Sequence, residues 1–196
     1  MAGINPNSVY APSPDQSLTT GACACAPVGT TAPTDARSAL GNGWDSSGYI
    51  GEAGLSVATT RGVQSLKDWS KSVVRNLKGD YDSTLNAPFI QIDEFSAKRI
   101  FGESNVIVTP ATREHGKQIN IAIGSDLPPV ESYCYSMKDE NRRVRVYVPR
   151  GQFVEVANFS FKPDEGCAFD GTLHTLDDGT GHSIYFMFDD GEIISG

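Results

Sequence analysis

The stretch INIAIG, residues 119–124, alternates without a fault. Ile119, Ile121 and Ile123 share one side, and Asn120 and Ala122 the other. A period of two is the signature of a half-buried strand. The same period recurs in RRVRVYV, with Val144, Val146 and Val148 facing away from Arg143, Arg145 and Tyr147. SYCYSM, QFVEVANFSF and HSIYFMF add three more runs rich in aromatic and β-branched residues. SDLPP, KDEN, PRG, KPDEG and DDGTG punctuate them. Many short strands between turn signals predict a mainly β chain, a small β-sandwich or barrel.

One helix is expected at about 93–101, in IDEFSAKRIFGE. Asp93 suits the N-cap, Glu94 the first turn, Lys98 and Arg99 the C-terminal half, and Gly102 the stop. Phe95, Ala97, Ile100 and Phe101 would pack on the sheet.

LKDWSKSVVRNLKGDYDSTL, residues 66–85, reads two ways. Leu66, Trp69, Val73 and Leu77 have helical spacing. Val73, Leu77, Tyr81, Leu85 and Phe89 also fall on one side of a ribbon whose other side is polar apart from Val74. A helix from Leu66 must end by Gly79. A strand can continue through it, with Gly79 as a bulge and Pro88 near a bend or edge. The expectation is a long strand over Ser72–Ala87, preceded by a loop ending at Leu66–Trp69, with a short helix at 65–71 as the alternative.

Residues 1–43 are rich in Gly, Pro, Ala, Ser and Thr and nearly free of charge. They show no periodic apolar face and cannot fold alone. They are expected to form an extended N-terminal arm pinned on a neighbouring subunit or on its own domain, with residues 44–196 as the domain proper. Deleting the arm is expected to leave that domain folded and to weaken assembly.

Charge is unevenly placed. The chain carries −8 overall, and residues 151–196 hold nine acids and one base. A protein that grips nucleic acid needs clustered Lys and Arg, and this chain has only short basic runs such as NRRVR. The acidic end suits solubility, or a surface that repels a polyanion. No apolar run is long enough to span a membrane. The N-terminus shows neither a basic nor an apolar region of a secretory signal, so synthesis in a reducing cytoplasm is expected.

Enzymatic signals are weak. His115, His174 and His182 are isolated, and no G-x-S-x-G or H-E-x-x-H occurs. Asp177 and Asp178 lie near His174 and His182, but acidic glycine turns explain the same letters. Cys23, Cys25, Cys134 and Cys167 lack metal or redox spacing and read as plain thiols. No catalytic residue, metal site or cofactor is expected.

Residues 48–108 carry a resemblance. Gly48–Ile50, Lys67–Trp69, Val73–Arg75 and Ala97–Val106 follow in the order GY-I, K-x-W, V-V-R and A-x-x-x-F-G-x-x-N-V. This order and spacing, over about a third of the chain, resembles the major tail tube protein of long, non-contractile-tailed bacteriophages. The resemblance implies a sandwich with one flanking helix, similar to the type VI secretion tube protein. It also implies a virion tail location, with six copies per ring and rings stacked into a tube. Its partners would then be further copies of itself, a tape-measure protein, and tail terminator and distal tail proteins. Double-stranded DNA would pass through without being held.

On that footing the segment Arg61–Ser70, with Leu66, Lys67 and Trp69, is the expected ring-to-ring contact, although Trp69 also suits a core. Asp80, Asp82 and Glu155 are the candidate acids of a net acidic lumen; outward-facing solvent acids would look the same in sequence. The competing class is a monomeric β-sandwich module binding carbohydrate or calcium.

Overall fold

The computed structural model describes residues 4–5, 8–18, 22–156, 159, 161 and 166–193 of the 196. Among the described residues, eleven strands and one α-helix run in the order β1 (Ser13–Pro14), β2 (Cys23–Pro27), β3 (Asp45–Ser46), β4 (Ser56–Lys67), β5 (Val73–Asn86), α1 (Glu94–Phe101), β6 (Val106–Thr109), β7 (Gln118–Ile121), β8 (Glu131–Asp139), β9 (Arg142–Val156), β10 (Gly171–Thr175) and β11 (Tyr185–Asp189). The main antiparallel sheet has the order β3-β2-β8-β9-β10-β5-β4, with β1 also on β8 and β11 also on β9. β6 and β7 form a separate pair.

β9 is the hinge of the architecture. PRG, which reads as a breaker, does not break the strand: β9 runs through Pro149, Arg150 and Gly151. The ladder with β8 slips opposite this point, between Glu131 and Tyr133, and a bulge is a place where proline is tolerated. Ser132 Oγ donates to the Pro149 carbonyl at 2.7 Å. Before the slip β9 pairs with β8 and β11, and after it with β10. The sheet thus changes partners along one strand and closes sandwich-like over a single core. Tyr133, Tyr135 and Val148 from one half meet Leu85, Phe153 and Leu173 from the other.

The helix forms as its residues dictate. Asp93 accepts from the Ser96 amide at 2.9 Å, and Ser96 Oγ accepts from the Asp93 amide at 3.1 Å. Glu94 and Lys98 pair at 2.9 Å. Gly102, at φ 90°, ends the helix. Ala97, Ile100 and Phe101 are buried against the sheet.

Part of residues 1–43, expected as an extended arm pinned on a neighbouring subunit or on its own domain, is built into the sheet of its own chain. Cys23–Pro27 lies inside the sheet between β3 and β8, with Cys23, Ala24 and Cys25 fully buried. CACAP has no alternation because both of its faces are covered, so the periodicity that would betray a strand is missing. The neighbouring stretch also lies on its own domain. Buried Arg145 donates to the carbonyls of Asp35 at 2.6 Å and Ser38 at 2.7 Å, and Arg37 pairs with Asp189 at 2.7 Å. Asp15, also buried, pairs with Arg143 at 2.8 Å.

The other runs fall in strands in whole or in part: INI of INIAIG in β7, SYCYSM in β8 and YFMF of HSIYFMF in β11, while Ile123 lies past the end of β7 and is exposed. Residues 162–165 of the KPDEG turn, with Lys162, Asp164 and Glu165, lie outside the described residues.

Candidate functional site

β4 and β5 form a long hairpin. β5 meets β10 only at Thr84–Asn86, so from Val73 to Ser83 its sole strand partner is β4. The strand expected over Ser72–Ala87 is present as Val73–Asn86. The loop expected over Arg61–Ser70 is not: Arg61–Lys67 is strand, paired to β5, and no helix occupies 65–71. Val57, Thr59, Thr60 and Val63 favour a strand, but Gly62 interrupts the pattern that would reveal it. The ladder slips between Arg61 and Val63, opposite Gly79, as a bulge requires.

The tip is a well-built turn. The Asp68 amide donates to the Ser72 carbonyl at 2.9 Å, and the Lys71 amide to the Asp68 carbonyl at 3.0 Å. Asp68 Oδ1 accepts from Ser70 Oγ at 2.7 Å and from the Ser72 amide at 2.8 Å, and these bonds hold its carboxyl below the usual range. Lys71 takes a left-handed φ of 64°.

On this turn Trp69 is 103% exposed and Leu66, two residues before the turn's amide-bonded Asp68, is 54% exposed. Lys67 is exposed beside them, and so are Val63, Val73 and Val74. Trp69 therefore belongs to no core of its own subunit. A two-stranded ribbon is marginal alone, and a hydrogen-bonded turn that holds apolar side chains in water is a candidate contact surface. The sequence reading names Trp69, Leu66, Val73 and Val74; that Val63 is exposed beside them on the same hairpin depends on the pairing of β4 with β5.

The second surface is the outer side of the hairpin root. Residues paired across a ladder share a face. Ser56, Asn86, Thr172 and Glu155 form one row, Ala58, Thr84, His174 and Gln152 the next, and Thr60 and Asp82 a third. The alternate residues Leu85, Leu173 and Phe153 are buried, so these rows face outward. They hold two acids, Asp82 and Glu155, and no Lys or Arg. Asp80 is exposed at the slip in the ladder, against Gly62. Arg150, one step beyond the second row on β9, donates to the Asp177 carbonyl at 3.0 Å.

His174 Nδ1 lies 3.6 Å from Asp82 Oδ1. His182 and His115 lie in exposed loops. Asp178 organises its own turn, accepting from Tyr185 Oη at 2.5 Å and the Thr180 amide at 2.7 Å. Among the described residues no group of three or more His, Cys, Asp or Glu is placed to hold a metal ion. Cys23, Cys25 and Cys134 are buried free thiols. Burial pushes Cys25 up to about 12 and Cys134 up to about 11, so neither is a thiolate at neutral pH. No helix among the described residues is long and apolar enough to cross a membrane.

No curated protein matches the chain. The family described as phage tail tube protein matches residues 3–194, nearly its full length. A β-sandwich with one helix, a projecting apolar hairpin and a polar outer face is thus set in a family of structural virion-tail components: the chain belongs to the phage tail tube protein family.

Proposed function

We propose that this chain is the repeating subunit of a tail tube, closing into rings of six copies that stack around a bore through which DNA leaves the virion. The rows on the outer face of β9, β10, β5 and β4 line that bore. The observation that carries this reading is their chemistry: small polar side chains with Asp82 and Glu155, and no Lys or Arg. A basic lining would hold phosphates through counterion release and slow their passage. Acids repel them, with screening over about 8 Å at physiological salt.

Leu66, Lys67 and Trp69 make the ring-to-ring contact. Support comes from their position at the end of a hairpin that leaves its own domain. Such a contact also covers free sheet edges that otherwise invite uncontrolled pairing. The tape-measure protein would occupy the bore before DNA, and terminator and distal tail proteins would cap the tube's ends.

Size-exclusion chromatography with negative-stain microscopy tests the reading. Concentrated protein, with and without its tape-measure partner, should yield rings or tubes. A strictly monomeric protein under both conditions would favour the carbohydrate- or calcium-binding module instead.

A further inference from the structure

The row Ser56–Asn86–Thr172–Glu155 marks one end of the hairpin, and the turn at 68–72 marks the other. β4 has 12 residues. At about 3.3 Å per residue the turn lies about 40 Å from that row. The two are opposite poles of the subunit along the strand direction.

The poles carry opposite charge. Between Gly62 and Gly79 the hairpin holds Lys67, Lys71, Arg75 and Lys78 against Asp68 alone. The far pole is a rim made by segments 48–54 and 87–92, which flank the start of β4 and the end of β5. The Ile90 amide donates to the Tyr49 carbonyl at 3.1 Å, and the Gly51 amide to the Pro88 carbonyl at 2.8 Å, so the two segments form one surface. Tyr49, Ile90 and Ile92 are exposed on it. Its charged residue is Glu52, and it holds no Lys or Arg.

We propose, resting on the tube reading above, that this rim receives the hairpin tip of a second copy. Trp69 and Leu66 would meet Tyr49, Ile90 and Ile92, and the lysines of the tip would meet Glu52. Each subunit then offers a tip at one pole and a rim at the other. Such a head-to-tail contact does not close on itself, and it propagates along an axis. That is the geometry stacking needs. Apolar anchors supply the attraction, and the charges set orientation and partner choice.

Cross-linking tests it. Ser70→Cys marks the tip and Ala53→Cys the rim, each in a Cys167→Ser background because the other three cysteines are buried. With a short bis-maleimide, mixed variants should give covalent dimers at least tenfold above either variant alone. Tubes visible in the same sample without such dimers would overturn the rim as receptor while leaving self-assembly intact. Wild-type protein that forms no tubes would overturn the tube reading itself, and the inference with it. Hydrogen exchange on the unmodified protein gives a second readout. Amides of 48–54 and 87–92 should gain protection on assembly together with those of 66–72. Protection of the tip alone would contradict the proposal.

Discussion

A Cβ built on Gly79 would lie 2.8 Å from the Gly62 carbonyl across the hairpin. Backbone meets backbone at this point, and the ladder slips there. No side chain fits without moving one strand. Gly79→Val should therefore shift or splay the distal hairpin, at a cost of about 1–3 kcal/mol. Circular dichroism and thermal melting should show a folded but less stable subunit, and microscopy should show impaired tube growth. A variant with unchanged melting and normal tubes would show that the hairpin tolerates a wider crossing.

Trp69→Ala removes nothing from the subunit core, because the side chain is fully exposed. The melting temperature should stay within about a degree of wild type, as is usual for surface positions. Stacking should fail, since losing a central aromatic anchor costs about 2 kcal/mol or more per contact. Normal polymerisation would remove Trp69 from the interface.

Truncation separates the two parts of the N-terminal segment. Removing residues 1–43 deletes β2 from between β3 and β8, together with buried Cys23, Ala24 and Cys25. Cooperative unfolding should be lost or shifted to far lower temperature. Removing residues 1–8 leaves Tyr10, which packs on Phe188 at 5.5 Å, and should change melting little. A truncation at 43 that melts like wild type would contradict the placement of Cys23–Pro27 in the sheet.

Acid should loosen the 28–44 segment. Hydrogen bonds from the Ser38 hydroxyl and amide and the Arg37 amide hold the Asp35 carboxyl well below its usual range; the Arg37 guanidinium holds Asp189 lower too. A depressed folded pKa gives stability that is present above the ordinary carboxylate pKa of about 3.9 and lost as pH falls below it. Melting temperature should therefore drop between about pH 5 and pH 2. Asp35→Asn should flatten that drop. An equally steep drop in the variant would assign the acid sensitivity to other carboxylates.

The sequence carried what alternation and capping encode. Helix α1 follows from Asp93, Glu94 and Gly102, and β7, β8 and β11 follow from their period of two. It hid what those patterns cannot express. Cys23–Pro27 is covered on both faces and so does not alternate. Gly62 breaks the pattern of β4, and Pro149 looks like a stop although a slip in the ladder accommodates it. Trp69 was readable as an anchor, but its place at a hairpin tip depends on pairing that no local pattern states. Asp82 and Glu155 were readable as acids. Their shared face depends on β10, which lines up Thr172 with both Asn86 and Glu155.

Reversing the charge of Asp80 and Asp82 tests the bore in function. The double change to lysine should permit tube assembly and slow DNA ejection, more at low salt than at high, because phosphate binding is salt-dependent. Equal ejection rates at both salts would exclude these two residues from the bore.

The most direct test is a cryo-electron-microscopy map of the assembled tube. It should show Asp82 and Glu155 facing the bore on the sheet formed by β9, β10, β5 and β4, with a net acidic lining. A bore lined mainly by Lys and Arg, or one from which this face is turned away, would contradict the account.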